Sequence, residues 1–241
     1  MSIWGSLIGG MIGFSVGGPF GMLLGSLLGG KISRARAGSG FSAAAYGQKM
    51  FALSLIVLSA KLSKADGRVS REELIAVKDK LKIPENELDQ VGKIFNKAKE
   101  ESTGYEQYAQ QIAQFYKGNI NVLEEVINIL FYIAESDGEV SQSESEMIEN
   151  IAKIFGLNEK QFLGIRESRK SSGKINPYIV LESTPDDNLE TIRKKYIKLS
   201  KEHHPDLLIS KGVPEEVINA SKEKMRSINL AWDTIQKLKS N

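Results

Sequence analysis

The sequence predicts an all-α protein, and three observations carry that prediction. From Phe51 onward apolar residues recur at steps of three and four, the period of one helix face, as in Met225, Ile228, Ala231, Trp232 and Ile235. Two Ser-x-x-Glu capping boxes, Ser70 with Glu73 and Ser141 with Glu144, mark helix starts. No segment alternates apolar and polar residues with the period of two that a half-buried strand requires.

The first element, 1–30, carries no charged side chain, and glycine occupies positions 5, 9, 13, 17, 21, 25 and 29. As one helix, Ile3 to Gly30 would be roughly 42 Å long, enough to cross a hydrocarbon core of about 30 Å with some tilt. Gly17-Gly18-Pro19 offers a second arrangement, a kink or hairpin whose halves are too short to span and lie re-entrant or interfacial. Small residues every four positions let helix backbones approach closely in lipid, so the stripe also offers a self-association face. A cleaved signal peptide is disfavoured, because the basic n-region is missing. A flexible glycine-rich tail is the competing reading; Trp4, Leu7, Ile8, Phe14, Leu23, Leu24, Leu27 and Leu28 favour the membrane over it. Lys31, Arg34 and Arg36 follow the segment, which places the bulk of the chain on the cytoplasmic side of a single-pass anchor.

A glycine-serine linker, 31–42, leads into a second region, 43–165, of single-domain size. The spacing predicts helices over Phe51–Leu62, Arg71–Leu81, Glu85–Ala98, Tyr105–Tyr116, Val122–Ala134, Glu144–Phe155 and Glu159–Glu167. Pro84 suits a first helical turn. An internal repeat is present: Asp66-Gly67-Arg68-Val69-Ser70-Arg71-Glu72-Glu73 recurs as Asp137-Gly138-Glu139-Val140-Ser141-Gln142-Ser143-Glu144. Asp-Gly suits a tight turn and the capping boxes start the next helices, so most of the repeat has a structural cause. Asp66 and Asp137 remain as weak cation candidates. An EF-hand is not supported, since its loop needs oxygen ligands at several alternating positions.

A polar linker, 166–176, precedes the last region, 177–241. Ile192, Tyr196 and Leu199 lie at i, i+4 and i+7, one apolar face, while five of the nine residues from Arg193 to Lys201 are cationic. Arg193, Lys194, Lys198 and Lys201 fall largely on other faces. The helix must stop at His204-Pro205-Asp206, because a residue before proline is pushed out of helical geometry. Asp206 then follows on a turn with its carboxylate free, which makes a docking loop of the tripeptide. Ala220 to Lys237 supplies a third helix to pack antiparallel on the second. Adjacent His203 and His204 lack the spaced ligands of a usual metal site.

Tyr196-x-x-Leu199 followed by His204-Pro205-Asp206 resembles the second helix and loop of a J domain, with Tyr178-Ile179-Val180-Leu181 as its short first helix and 184–189 as the cap of its second. Leu207 departs from the lysine that commonly follows the tripeptide. The stretch from Leu208 to Val217, including Lys211-Gly212-Val213-Pro214, reads as a long loop and resembles the DjlA branch. The repeat-bearing region resembles TerB, an all-helical tellurite-resistance-type module in which acidic residues near such turns are linked to divalent cations. A glycine-rich membrane helix, a TerB-like helical domain and a three-helix J domain in that order look like the DjlA family of membrane-anchored co-chaperones.

That resemblance implies a protein of a bacterial inner membrane whose J domain stimulates ATP hydrolysis by a DnaK-type chaperone. His204, Pro205, Asp206, Arg193, Lys194, Tyr196, Lys198 and Lys201 would form the chaperone-binding surface. The alternative is a TerB-type scaffold or cation-responsive binding module with a degenerate J domain. No phosphate loop and no nucleophile-base pair is evident, so no enzyme and no cofactor is expected. A net charge of +2 and the absence of cysteine argue against nucleic-acid binding, disulfides and thiol catalysis.

Overall fold

A computed structural model describes residues 43–65, 71–83, 85, 88–100, 104–170, 175–210, 213 and 215–240. The glycine-rich segment 1–30, its linker 31–42 and Asp66 lie outside the described residues. Among the described residues there is no strand, and the elements are α1 (Ala43–Leu62), α2 (Arg71–Lys80), α3 (Leu88–Ala98), α4 (Glu106–Phe115), α5 (Ile120–Ala134), α6 (Gln142–Phe155), α7 (Glu159–Ser168), α8 (Pro177–Val180), α9 (Leu189–Glu202), α10 (Pro205–Ser210) and α11 (Glu215–Ser240). No helix among them is long and apolar enough to cross a membrane.

Local chemistry accounts for most of the ends. The second capping box forms as read: Glu144 N–H donates to Ser141 Oγ at 3.2 Å, and Ser141 N–H donates to Glu144 Oε2 at 2.8 Å. Ser70, in the first copy, lies outside the described residues. A further box at Asn158 and Gln161 starts α7, and Asn176, Asn188 and the N1 proline Pro177 start α8 and α9. At the end of α6, Gly156 takes φ +79°, the left-handed C′ geometry that lets Leu157 N–H reach Ala152 O.

Three expectations shift. The helix expected from Glu85 is described from Leu88 to Ala98, with Val91, Ile94, Phe95 and Ala98 buried; Pro84 and residues 86 and 87 lie outside the described residues. The segment expected as a linker from Arg166 is helical through Ser168, and buried Glu167 accepts the Asn176 N–H at 2.7 Å and Lys170 Nζ at 2.7 Å. Burial pushes that carboxyl up, yet these donors hold it below the usual range. Of the expected long loop from Leu208 to Val217, residues 208–210 belong to α10, which begins on Pro205, and 215–217 to α11, which begins five residues early; 211, 212 and 214 lie outside the described residues. Leu208, Val213 and Val217 are buried, and that burial favours α10 and the early start of α11.

The described chain divides into two compact units. One comprises 43–117 and 132–148, in which α1 packs against α3 and α4. In the second half of α1, Leu55, Ile56, Val57 and Leu58 are inaccessible to solvent. The other unit comprises 118–131 and 149–240. In it α8, α9 and α11 enclose Val180, Leu181, Ile192, Leu199, Ile228, Ala231, Trp232 and Ile235. α7 packs on α8, with Gly164 facing the Ile179 carbonyl. The sequence stripes of α9 and α11 therefore face each other as read.

Candidate functional site

The basic helix α9 is capped by Asn188, whose side chain accepts the Thr191 N–H, and ends at His203 with His203 N–H bonded to Leu199 O. Ile192 and Leu199 are buried. Tyr196 is held rather than free: it stacks on Trp232 at 5.1 Å and donates its Oη–H to Asn229 Oδ1 at 3.2 Å. Arg193, Lys194, Lys198 and Lys201 are exposed. Lys194 meets Glu190 and Lys198 meets Glu202 in exposed i,i+4 pairs, which contribute about 0.3–0.5 kcal/mol each and leave the positive face available.

His204 sits between α9 and α10, outside both helices. Pro205 opens α10 rather than a loose loop, because its missing N–H and fixed φ suit a first helical position. Asp206 is therefore in the first turn of a short helix. Its backbone N–H donates to His204 Nδ1 at 3.3 Å, and its Oδ2 lies 3.6 Å from the same nitrogen. Both side chains are more than half exposed. Together with Tyr196, Ile197, Ser200, Lys201 and Leu207 they line an open groove beside the basic face. Seven of the eight residues singled out in the sequence thus lie on α9 or in the first turn of α10, and His204 lies on the turn between them. Asp137 is exposed in its turn, and no group of three or more His, Cys, Asp or Glu side chains able to hold a metal occurs among the described residues.

The neighbouring His203 is the opposite of His204. It is 1% exposed, with Nε2 3.2 Å from Glu124 Oε2 and Nδ1 3.1 Å from Glu125 Oε1. Burial alone would pull the imidazole down, but hydrogen bonds to the two carboxylates and their charges raise it to about 9. Burial pushes Glu124 up, and the bonds from His203 and Gln161 with the Lys224 charge outweigh it. Buried Lys224 balances the second carboxylate, so the cluster approaches neutrality only with the ring protonated. Half-buried Glu182 is raised, first by burial and then by the Glu124 charge. Asn121 adds a bond from Nδ2 to the Glu202 carbonyl at 2.8 Å.

Sequence reasoning missed this cluster. The available signal was Glu124-Glu125 in the middle of an apolar helix, where two adjacent acids demand a buried cation.

These features define an all-helical protein with a TerB-type domain: residues 52–167 match the model described as tellurite resistance protein TerB, and residues 1–39 match the one described as co-chaperone DjlA transmembrane domain. The chain is DjlA-like along its length. It is 29% identical to the co-chaperone protein DjlA of Aliivibrio fischeri over 99% of both chains. It is 26% identical to that of Vibrio parahaemolyticus over 86% of this chain and 87% of the relative, and to that of Haemophilus influenzae over 80% and 81%. No solved structure matches it significantly.

Proposed function

We propose that this chain is a membrane-anchored co-chaperone, and specifically that its C-terminal region stimulates ATP hydrolysis by a DnaK-type chaperone at the cytoplasmic face. The observation that carries the reading is the exposed His204-Asp206 pair at the end of a basic helix. The names of its relatives and the match of residues 1–39 support the coarser role and the membrane setting. Cationic side chains on α9 would steer an acidic surface of the chaperone, raising the encounter rate, while the pair beyond them engages the groups that couple ATP hydrolysis to the chaperone's domain arrangement. The protein regulates another protein's ATPase and carries out no bond-breaking step itself. Anchoring raises the effective concentration of the activated chaperone near the membrane.

A single-turnover ATPase assay with detergent-solubilised full chain tests this. His204→Gln and Asp206→Asn are each expected to reduce stimulation at least tenfold, about 1.4 kcal/mol in the barrier, with helix content unchanged because both side chains are exposed. Full stimulation by either variant would remove the reading.

A further inference from the structure

We propose that Asn121, Glu124 and Glu125, on one face of α5, are positioning residues that fix the turn carrying His204 through His203 and the last carbonyl of α9. The inference rests on the co-chaperone reading for its functional consequence, though its structural half stands alone. Positions i, i+3 and i+4 of a helix share a face. Here all three grip consecutive residues: Asn121 the Glu202 carbonyl, and Glu124 and Glu125 the two ring nitrogens of His203. A ring held at both nitrogens has no rotational freedom left. His204, the next residue, has only Asp206 as a side-chain partner among the described residues, so its direction is inherited from the backbone that His203 anchors.

Simple stability is a poor account of such a device. Desolvating two carboxylates and an imidazolium costs several kcal/mol per ion, and an apolar replacement of similar volume is often as stable. An ion cluster does supply direction, since its donors and acceptors meet in one arrangement only. Residues 121–125 fall within the TerB-type match at 52–167, and His203 falls beyond it. The two parts share one compact unit, so the TerB-type sequence contributes to presentation of the tripeptide.

The test uses the full chain with Glu125→Gln, and with Asn121→Ala, which removes the bond to Glu202 O and leaves both carboxylates on the His203 ring, in case the first variant fails to fold. Hydrogen exchange of peptides covering 203–210 is expected to quicken at least tenfold in either folded variant, and in Asn121→Ala with peptides over 190–200 unchanged. In the chaperone assay the maximal stimulated rate is expected to fall several-fold while the half-saturating concentration, set by the exposed lysines, stays constant. Unchanged exchange at 203–210 in both variants would overturn the proposal. So would faster exchange throughout the unit in Asn121→Ala, whose ion cluster is intact, or a loss in half-saturating concentration alone, since either marks a general structural role. If wild type fails to stimulate, the co-chaperone reading falls, and the exchange result still decides whether α5 holds the turn.

Discussion

Helices α1 and α5 are related by the internal repeat, yet they bury different chemistry. In the register set by Asp66 and Asp137, the first copy has Met50, Leu53, Ser54 and Val57 where the second has Asn121, Glu124, Glu125 and Asn128. Buried Leu53 and Val57 of α1 take part in apolar packing, and Ser54 makes one long bond to Gln111 Oε1 at 3.4 Å. The four α5 residues are also buried, but each has a specific polar partner. Asn128 Oδ1 accepts from Arg169 Nη1 at 2.7 Å, continuing the stripe that begins at Asn121. Both helices bury apolar side chains, and the α5 copy adds a polar stripe that reads other chain segments. The energetic reason is the difference between non-directional burial, which tolerates exchange of apolar side chains, and buried charge, which tolerates only its partner.

The comparison breaks first at Glu125. Glu125→Ala leaves His203 with one carboxylate in a buried site and should destabilise the unit by about 3–5 kcal/mol, whereas repeat-equivalent Ser54→Ala should cost about 1 kcal/mol or less. Urea denaturation of the two variants checks this, and equal losses would mean that the cluster is no more demanding than a long hydroxyl bond.

A pH series sharpens the same contrast. The folded-state value of His203, about 9, lies above its ordinary 6.5, so folding takes up a proton there. The resulting stability is fully present below about pH 6.5 and is lost as pH rises through about 9, by at most about 3 kcal/mol. His203→Gln should flatten the dependence of the denaturation midpoint over that window. A flat wild-type profile would show a ring that is not protonated by its carboxylates.

The smallest effect on stability belongs to the exposed face of α9. Lys194→Glu with Lys198→Glu should change stability by roughly 0.5 kcal/mol or less. It should slow chaperone association and weaken its salt dependence, because Debye screening acts on exposed charges. Stopped-flow association at low and high ionic strength checks it; an unchanged rate at low salt would assign the lysines to solubility.

Much of the fold was legible because its causes are local. Ile192 and Leu199 announced the buried face of α9, Ile228, Ala231, Trp232 and Ile235 that of α11, and Ser141 with Glu144 the start of α6. His204-Pro205-Asp206 was legible as a helix end for the same reason, since proline restricts the residue before it. The helical character of 205–210 was not. Turn chemistry at Pro205 permits either a loop or an N1 position, and burial of Leu208, Val213 and Val217 selected the helix.

By itself, then, the sequence determined the helices, their buried faces and the place where the basic helix must stop, all consequences of interactions spanning a few residues. Only the tertiary structure decided that of two adjacent histidines one is exposed beside Asp206 and the other is enclosed by Glu124 and Glu125. His203 and Glu125 are separated by 78 positions, and no local period links them. Their pairing exists only because chain closure brings α5 against the end of α9 and removes the water that would otherwise solvate both charges.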